Sequence, residues 1–76
     1  MRTTEIRDFY GKILGYIEEE SNGNKTAKNF YRQILGTYNA KENVTKDFYG
    51  RIVSRGDTTQ SLVYNNNNDT HKAIHG

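Results

Sequence analysis

Arg7-Asp8-Phe9-Tyr10-Gly11-Lys12-Ile13-Leu14-Gly15 is the stretch whose reading decides the fold, because the chain repeats it twice more. Lys28-Asn29-Phe30-Tyr31-Arg32-Gln33-Ile34-Leu35-Gly36 and Lys46-Asp47-Phe48-Tyr49-Gly50-Arg51-Ile52-Val53-Ser54 align with it without gaps. In each copy a base precedes Asp or Asn, a Phe-Tyr doublet follows, and an Ile-Leu or Ile-Val pair closes the unit. Self-similarity at a short period marks one structural unit used several times.

Two periodicities compete inside the unit. Ile6, Phe9/Tyr10, Ile13/Leu14 and Ile17 follow helical spacing, as do Ala27, Phe30/Tyr31, Ile34/Leu35 and Tyr38. A three-helix bundle is therefore the alternative. Gly11, Gly15, Gly36 and Gly50 would then sit inside helices, each costing about 1 kcal/mol relative to Ala. The strand reading gives the glycines of Asp-Phe-Tyr-Gly a task. Asp at the first place of a type I turn bonds to backbone amides, and Gly at the fourth takes the left-handed conformation of the following bulge. Flanking Thr, Ile, Val and Tyr suit a pleated surface. The expected hairpins pair Thr3–Arg7 with Lys12–Ile17, Lys25–Lys28 with Gln33–Tyr38, and Val44–Lys46 with Arg51–Ser54. The second carries Asn29 for Asp and Arg32 for Gly, and Arg32 takes the bulge position with some strain.

Polar connectors rich in Asn and Gly, Glu18–Asn24 and Asn39–Asn43, read as turns between the hairpins. Asp57 is placed to cap a short helix, with Gln60 three residues on. The expected fold class is all-β: one domain over residues 1–64 made of three hairpins (about 3–17, 25–38 and 44–55), a helix over 58–64, and a disordered tail over 65–76. The hairpins form an antiparallel meander, either rolled or flat, with a flat sheet's second face covered by the helix or another subunit. Strict alternation places Ile13, Ile34 and Ile52 in one layer with Ile6, Ala27 and Thr45, and turns Leu14, Leu35 and Val53 to the other side. Gly15, Gly36 and Ser54 are the small residues that admit a close neighbour.

Composition bounds the function. The 76 residues are 33% hydrophobic with a formal charge of +2, so a large dry core is excluded, and a homodimer that adds burial is compatible with this economy. No Cys is present, which removes disulfides, thiolate catalysis and Cys-ligated metals. No apolar run is long enough to span a bilayer and no leader opens the chain, so a soluble cytoplasmic protein away from membranes is expected.

The Asp-Phe-Tyr-Gly-Lys/Arg-Ile-Leu/Val-Gly/Ser unit resembles that of a group of short bacterial proteins with repeated D-F-Y-G-R-I-L-G segments. The resemblance covers residues 2 to about 64 and implies the repeated fold; it supplies no catalytic residues.

Chemistry-bearing patterns are few. No cofactor, metal site or catalytic set is expected. His71 and His75, four apart, lack a third ligand, and the Ser residues have no His–acid partners. One constellation stands out: Lys12, Arg32 and Arg51 beside Phe9, Tyr10, Phe30, Tyr31, Phe48 and Tyr49, at the hairpin corners. Rings beside cations suit single-stranded nucleic acid. Residues 2–57, however, hold ten bases against eight acids with no concentrated patch in the linear order, and the expectation is that the rings fold back over the neighbouring sheet. The leading reading is a non-enzymatic module that engages a protein partner or assembles with itself. Nucleic-acid binding through the basic-aromatic corners is the alternative. Glycan or choline-type binding is a third, because aromatic hairpins of about 20 residues resemble bacterial cell-wall-binding repeats in outline.

Overall fold

The computed structural model describes the backbone of residues 1–75 and the side chains of residues 1–67. Six strands come in chain order: β1 (Arg2–Arg7), β2 (Ile13–Glu19), β3 (Lys25–Asn29), β4 (Ile34–Asn39), β5 (Val44–Asp47) and β6 (Ile52–Arg55), followed by one helix, α1 (Thr59–His75). They form a single antiparallel sheet in the order β1-β2-β3-β4-β5-β6, a meander with β1 and β6 as open edges. The hairpin reading is correct and the helical bundle is not. Of the two sheet shapes expected, the open one with a helix across one face is observed.

The three repeat turns are alike in atomic detail. Gly11 N–H bonds to Asp8 O (3.0 Å) and Asp8 N–H to Lys12 O (2.9 Å). The same pair of bonds links Gly50 to Asp47 and Asp47 to Arg51, and Arg32 to Asn29 and Asn29 to Gln33. Gly11 and Gly50 have φ of 85° and 83°, and Arg32 occupies the same left-handed region at 65°. The side chain at the first turn position does the work the residue type suggests. Asp8 Oδ1 accepts the amides of Tyr10 and Lys12 at 2.8 and 2.9 Å, and Asp47 Oδ1 those of Tyr49 and Arg51 at 2.9 and 3.0 Å. Asn29 Oδ1 takes the amide of Gln33 at 2.9 Å while its Nδ2 donates to Gln33 Oε1 at 2.8 Å.

Face assignment differs from strict alternation, and the cause is visible in the register. Ile6 pairs with Gly15 but Arg7 pairs with Ile13, so Leu14 is an extra residue. The same slip leaves Leu35 between Gly36 and Ile34, and Val53 between Ser54 and Ile52. A bulge of this kind breaks the period of two. Ile13, Ile34 and Ile52 consequently face the open side opposite Arg7, Lys28 and Lys46. Leu14 joins Ile6, Ile17 and Ala27 in the buried cluster, with Leu35 packed at its margin.

Helix α1 covers this inner face. Thr59, Leu62, Val63 and Asn66 follow the i, i+3, i+4, i+7 spacing of one helical stripe, and Val63 is buried almost completely. Its seat is a row of small residues across the sheet: Gly15 pairs through Asn29 and Ile17 through Ala27, and Ala27 pairs with Gly36. A Cβ at Gly15 would lie 2.8 Å from Val63 Cγ1, and one at Gly36 would lie 2.6 Å from Leu62 Cδ1. A Cβ would lie closer still to the carbonyl of the neighbouring strand, Lys28 at Gly15 and Lys46 at Gly36, so strand and helix together require Gly here.

The linker into α1 is stitched to the last hairpin. Buried Thr45 Oγ1 donates to Gly56 O (2.7 Å) and accepts the Thr58 amide (3.1 Å), while the Ser54 and Thr58 hydroxyls meet at 2.6 Å. Asp57 caps the helix through the amide and hydroxyl of Thr59. The helix begins at the predicted cap, and its described backbone runs from Thr59 past residue 64 to His75. Once the cap and the first packed turns are in place, each further residue adds one hydrogen bond at little extra cost. Gly76 lies outside the described residues.

Candidate functional site

In a meander, every odd-numbered connection falls at the same end of the sheet. The three Asp/Asn-Phe-Tyr turns, which join β1 to β2, β3 to β4 and β5 to β6, therefore stand side by side. Neighbouring tips are two strands apart, a pitch of about 10 Å, so the row spans roughly 20 Å. The result is a comb of three aromatic tips.

The rings do not fold back over the sheet. Phe9 is 96% exposed and Tyr10 90%, and all six rings exceed half exposure. Each Phe instead packs edge-to-face against its own Tyr, at centroid distances of 5.6, 5.4 and 5.4 Å. The correction has a simple cause. Positions two and three of a type I turn project from the tip of the hairpin, and a strand spacing of about 4.8 Å leaves no neighbouring sheet within their reach. Exposed rings of this number and regularity are unusual on a small protein, where apolar patches mark interaction sites.

The candidate bases are gathered at the same end. Arg32 lies over the Tyr16 ring at 4.1 Å from its centroid, and Arg51 lies 5.4 Å from the Tyr49 centroid. Arg51 also bonds Asp47 through Nε at 3.0 Å, and Arg7 reaches the Gly11 carbonyl at 2.7 Å. Lys12 is exposed and, among the described residues, pairs with no carboxylate. Desolvation opposes ionisation of Asp47, but bonds from the Arg51 backbone and side chain outweigh it and hold the carboxyl below its ordinary value. It is thus a fixed anion facing into its turn.

Folding also sorts charge in a way the linear order conceals. Arg7, Lys12, Lys28, Arg32, Lys46 and Arg51 all lie within two residues of a tip, against only Asp8 and Asp47. The six bases therefore outnumber the two acids of the turns themselves, although three of them are paired with carboxylates just behind the tips: Arg7 with Glu5 at 2.7 Å, Lys28 with Glu18 at 3.0 Å and Lys46 with Glu42 at 3.7 Å. Glu19, Glu20 and Asp57 lie toward the other end. The strongest clue was present in the sequence as spacing: each base sits next to its turn motif, and the meander brings the three motifs together.

Beside the third tip is an open cleft of about 290 Å³, with Ile34, Leu35, Leu62 and the rings of Phe48 and Tyr49 as its apolar lining and Asp47, Arg51, Asn65 and Asn66 as its polar groups. Sequence reasoning missed this feature because it forms between a turn and a helix extended past residue 64. A second cleft of about 400 Å³ lies by the helix cap, around the Lys25–Asp57 ion pair. The side chains of His71 and His75 lie outside the described residues, and the described helix is not long and apolar enough to cross a membrane. No protein-family model, no curated protein and no solved structure matches the chain.

Proposed function

We propose that this protein is a non-enzymatic binding module whose working surface is the row of three aromatic tips. The single observation that carries the reading is the exposure of all six Phe and Tyr rings in three equivalent turns. A chain with so few apolar residues holds these rings in water although nothing in the fold needs them there. Interfaces draw their strongest contacts from aromatic and Arg side chains, which is the composition of the comb.

Self-assembly through the sheet edges is disfavoured by the same repeat. Continuing the register of β2 with β3 would set β6 of one copy against β1 of the next, with Arg55 opposite Arg7. Like charges opposed across strands destabilise pairing, and positive-φ Gly56 already turns the chain out of the sheet. The tips, rather than the sheet edges, are accordingly where a partner is expected to meet the protein.

The test is capture from cell extract by immobilised protein, comparing the wild type with a variant in which Phe9, Phe30 and Phe48 are all changed to Ser. Protein and nucleic-acid fractions are both analysed. Ligands retained by the wild type and lost by the variant are expected; an identical set on both columns rejects the comb as a binding surface.

A further inference from the structure

We infer that the ligand of the comb is single-stranded nucleic acid, an inference that rests on the tips being the binding surface. Three independent features converge. The rings are exposed and recur at intervals of about 10 Å, presenting π-faces and edges to successive bases. Six bases flank them and the only two acids among the tips are turned inward onto turn amides. At the third tip the cleft lined by Ile34, Leu35, Leu62 and the rings of Phe48 and Tyr49 offers an apolar slot, with Asn65, Asn66, Arg51 and the Arg51-paired Asp47 beside it as hydrogen-bonding groups for a base edge.

Charge complementarity selects a polyanion over a neutral peptide or glycan. Arg7, Lys28 and Lys46 lean on Glu5, Glu18 and Glu42 at 2.7, 3.0 and 3.7 Å. Such surface pairs are weak and a phosphate competes with them readily. Arg32 has no carboxylate partner among the described residues and already lies over Tyr16. Splayed single strands fit better than duplex, because isolated tips with rings at their ends stack on unpaired bases and find no base faces in a closed helix.

The experiment is fluorescence anisotropy of a labelled oligothymidine of about a dozen residues, at about 50 and 200 mM salt, with a duplex of the same length as competitor. Neutralising about four phosphates gives a slope of roughly −0.7 per contact, hence an affinity loss of about fiftyfold across that interval. The triple Phe→Ser variant, checked for an unchanged circular dichroism spectrum, is expected to bind at least tenfold more weakly. Lys12→Gln with Arg32→Gln is expected to flatten the salt slope by about 1.4. Duplex binding as tight as single-strand binding, or full affinity in the ring variant, overturns the inference. Failure to bind the oligonucleotide at low salt overturns it too; ring-dependent capture of protein from nuclease-treated extract would then leave the comb reading standing, and loss of both would end each.

Discussion

Replacing Gly15 by Ala should cost more stability than any change at the exposed tips. The new Cβ would stand 2.8 Å from Val63 Cγ1, and closer still to the Lys28 carbonyl of the neighbouring strand. Neither neighbour can swing aside: Val63 is 1% exposed beneath the helix, and Lys28 O belongs to the sheet backbone. Relief requires α1 to lift, which reopens the contacts of Val63 and Leu62. Overpacking of this kind costs about 1–3 kcal/mol. Complete loss of a buried aliphatic side chain costs about 1.5–3 kcal/mol more, while the reduced freedom of Ala in the unfolded chain returns about 0.4–1 kcal/mol. A net loss of roughly 3.5 kcal/mol follows from the centres of these ranges, against a total of roughly 4–11 kcal/mol for a chain of this length. With a urea m-value of about 1 kcal/mol/M, the denaturation midpoint should fall by roughly 3 M or more. Gly11→Ala is the control, because a Cβ there meets nothing within 4 Å and only the left-handed φ is strained, at about 1 kcal/mol. Urea titration followed by far-ultraviolet circular dichroism measures both. A Gly15→Ala midpoint equal to the wild type, or higher than that of Gly11→Ala, would refute the view that the helix rests directly on the sheet backbone.

Other outcomes follow from the same contacts. Asp47→Ala removes the acceptor for two turn amides and should lower the melting temperature, whereas Asp47→Asn should lower it less, since Asn29 keeps one of the two equivalent amide bonds in its own turn; thermal denaturation of the pair distinguishes them. Asp57 feels desolvation, but the bonds from Lys25 and Thr59 hold its carboxyl below the ordinary value, and the bond to Asp57 raises Lys25. Their stabilisation is therefore complete above the unfolded carboxyl value of about 3.9 and is lost as pH falls through the lower folded value. On the alkaline side it is complete below the unfolded Lys value of about 10.4 and is lost above it. Asp57→Asn should keep an acceptor for the helix cap, lose about 0.5–1 kcal/mol at neutral pH, and show a shallower acid limb in stability-versus-pH curves. Val63→Asp buries a charge against Gly15 and Ala27 and should detach α1, seen as loss of helical signal at 222 nm with the β signal retained only in part.

The turns were legible in the sequence because Asp-Phe-Tyr-Gly states its chemistry locally: an acceptor for the amides and a residue free to adopt positive φ. Arg32 could be read as the strained member of the set for the same reason. Which side Ile13, Ile34 and Ile52 face was not legible. One extra residue per hairpin reverses the alternation, and Leu14 carries no mark that distinguishes a bulge from a paired position. The close approach at Gly15 and Gly36 could be anticipated, but its occupant could not, because among the described side chains of α1 only Leu62 and Val63 are apolar on the stripe that meets the sheet. Exposure of the rings and the pooling of charge depend on strand order. Six bases scattered between Arg7 and Arg51 become one patch only when all three tips point the same way.

Photochemically induced nuclear polarisation of the tyrosine side chains reads ring accessibility residue by residue. With Tyr10, Tyr31 and Tyr49 at 90%, 79% and 77% exposure, Tyr64 at 42% and Tyr16 and Tyr38 half-buried, the free protein should show strong signals from the first three, an intermediate one from Tyr64 and weak ones from Tyr16 and Tyr38. Quenching of those three on adding single-stranded oligonucleotide is also expected. Dark tip tyrosines in the free protein would contradict the account, because a comb whose rings are already covered has nothing to offer a ligand.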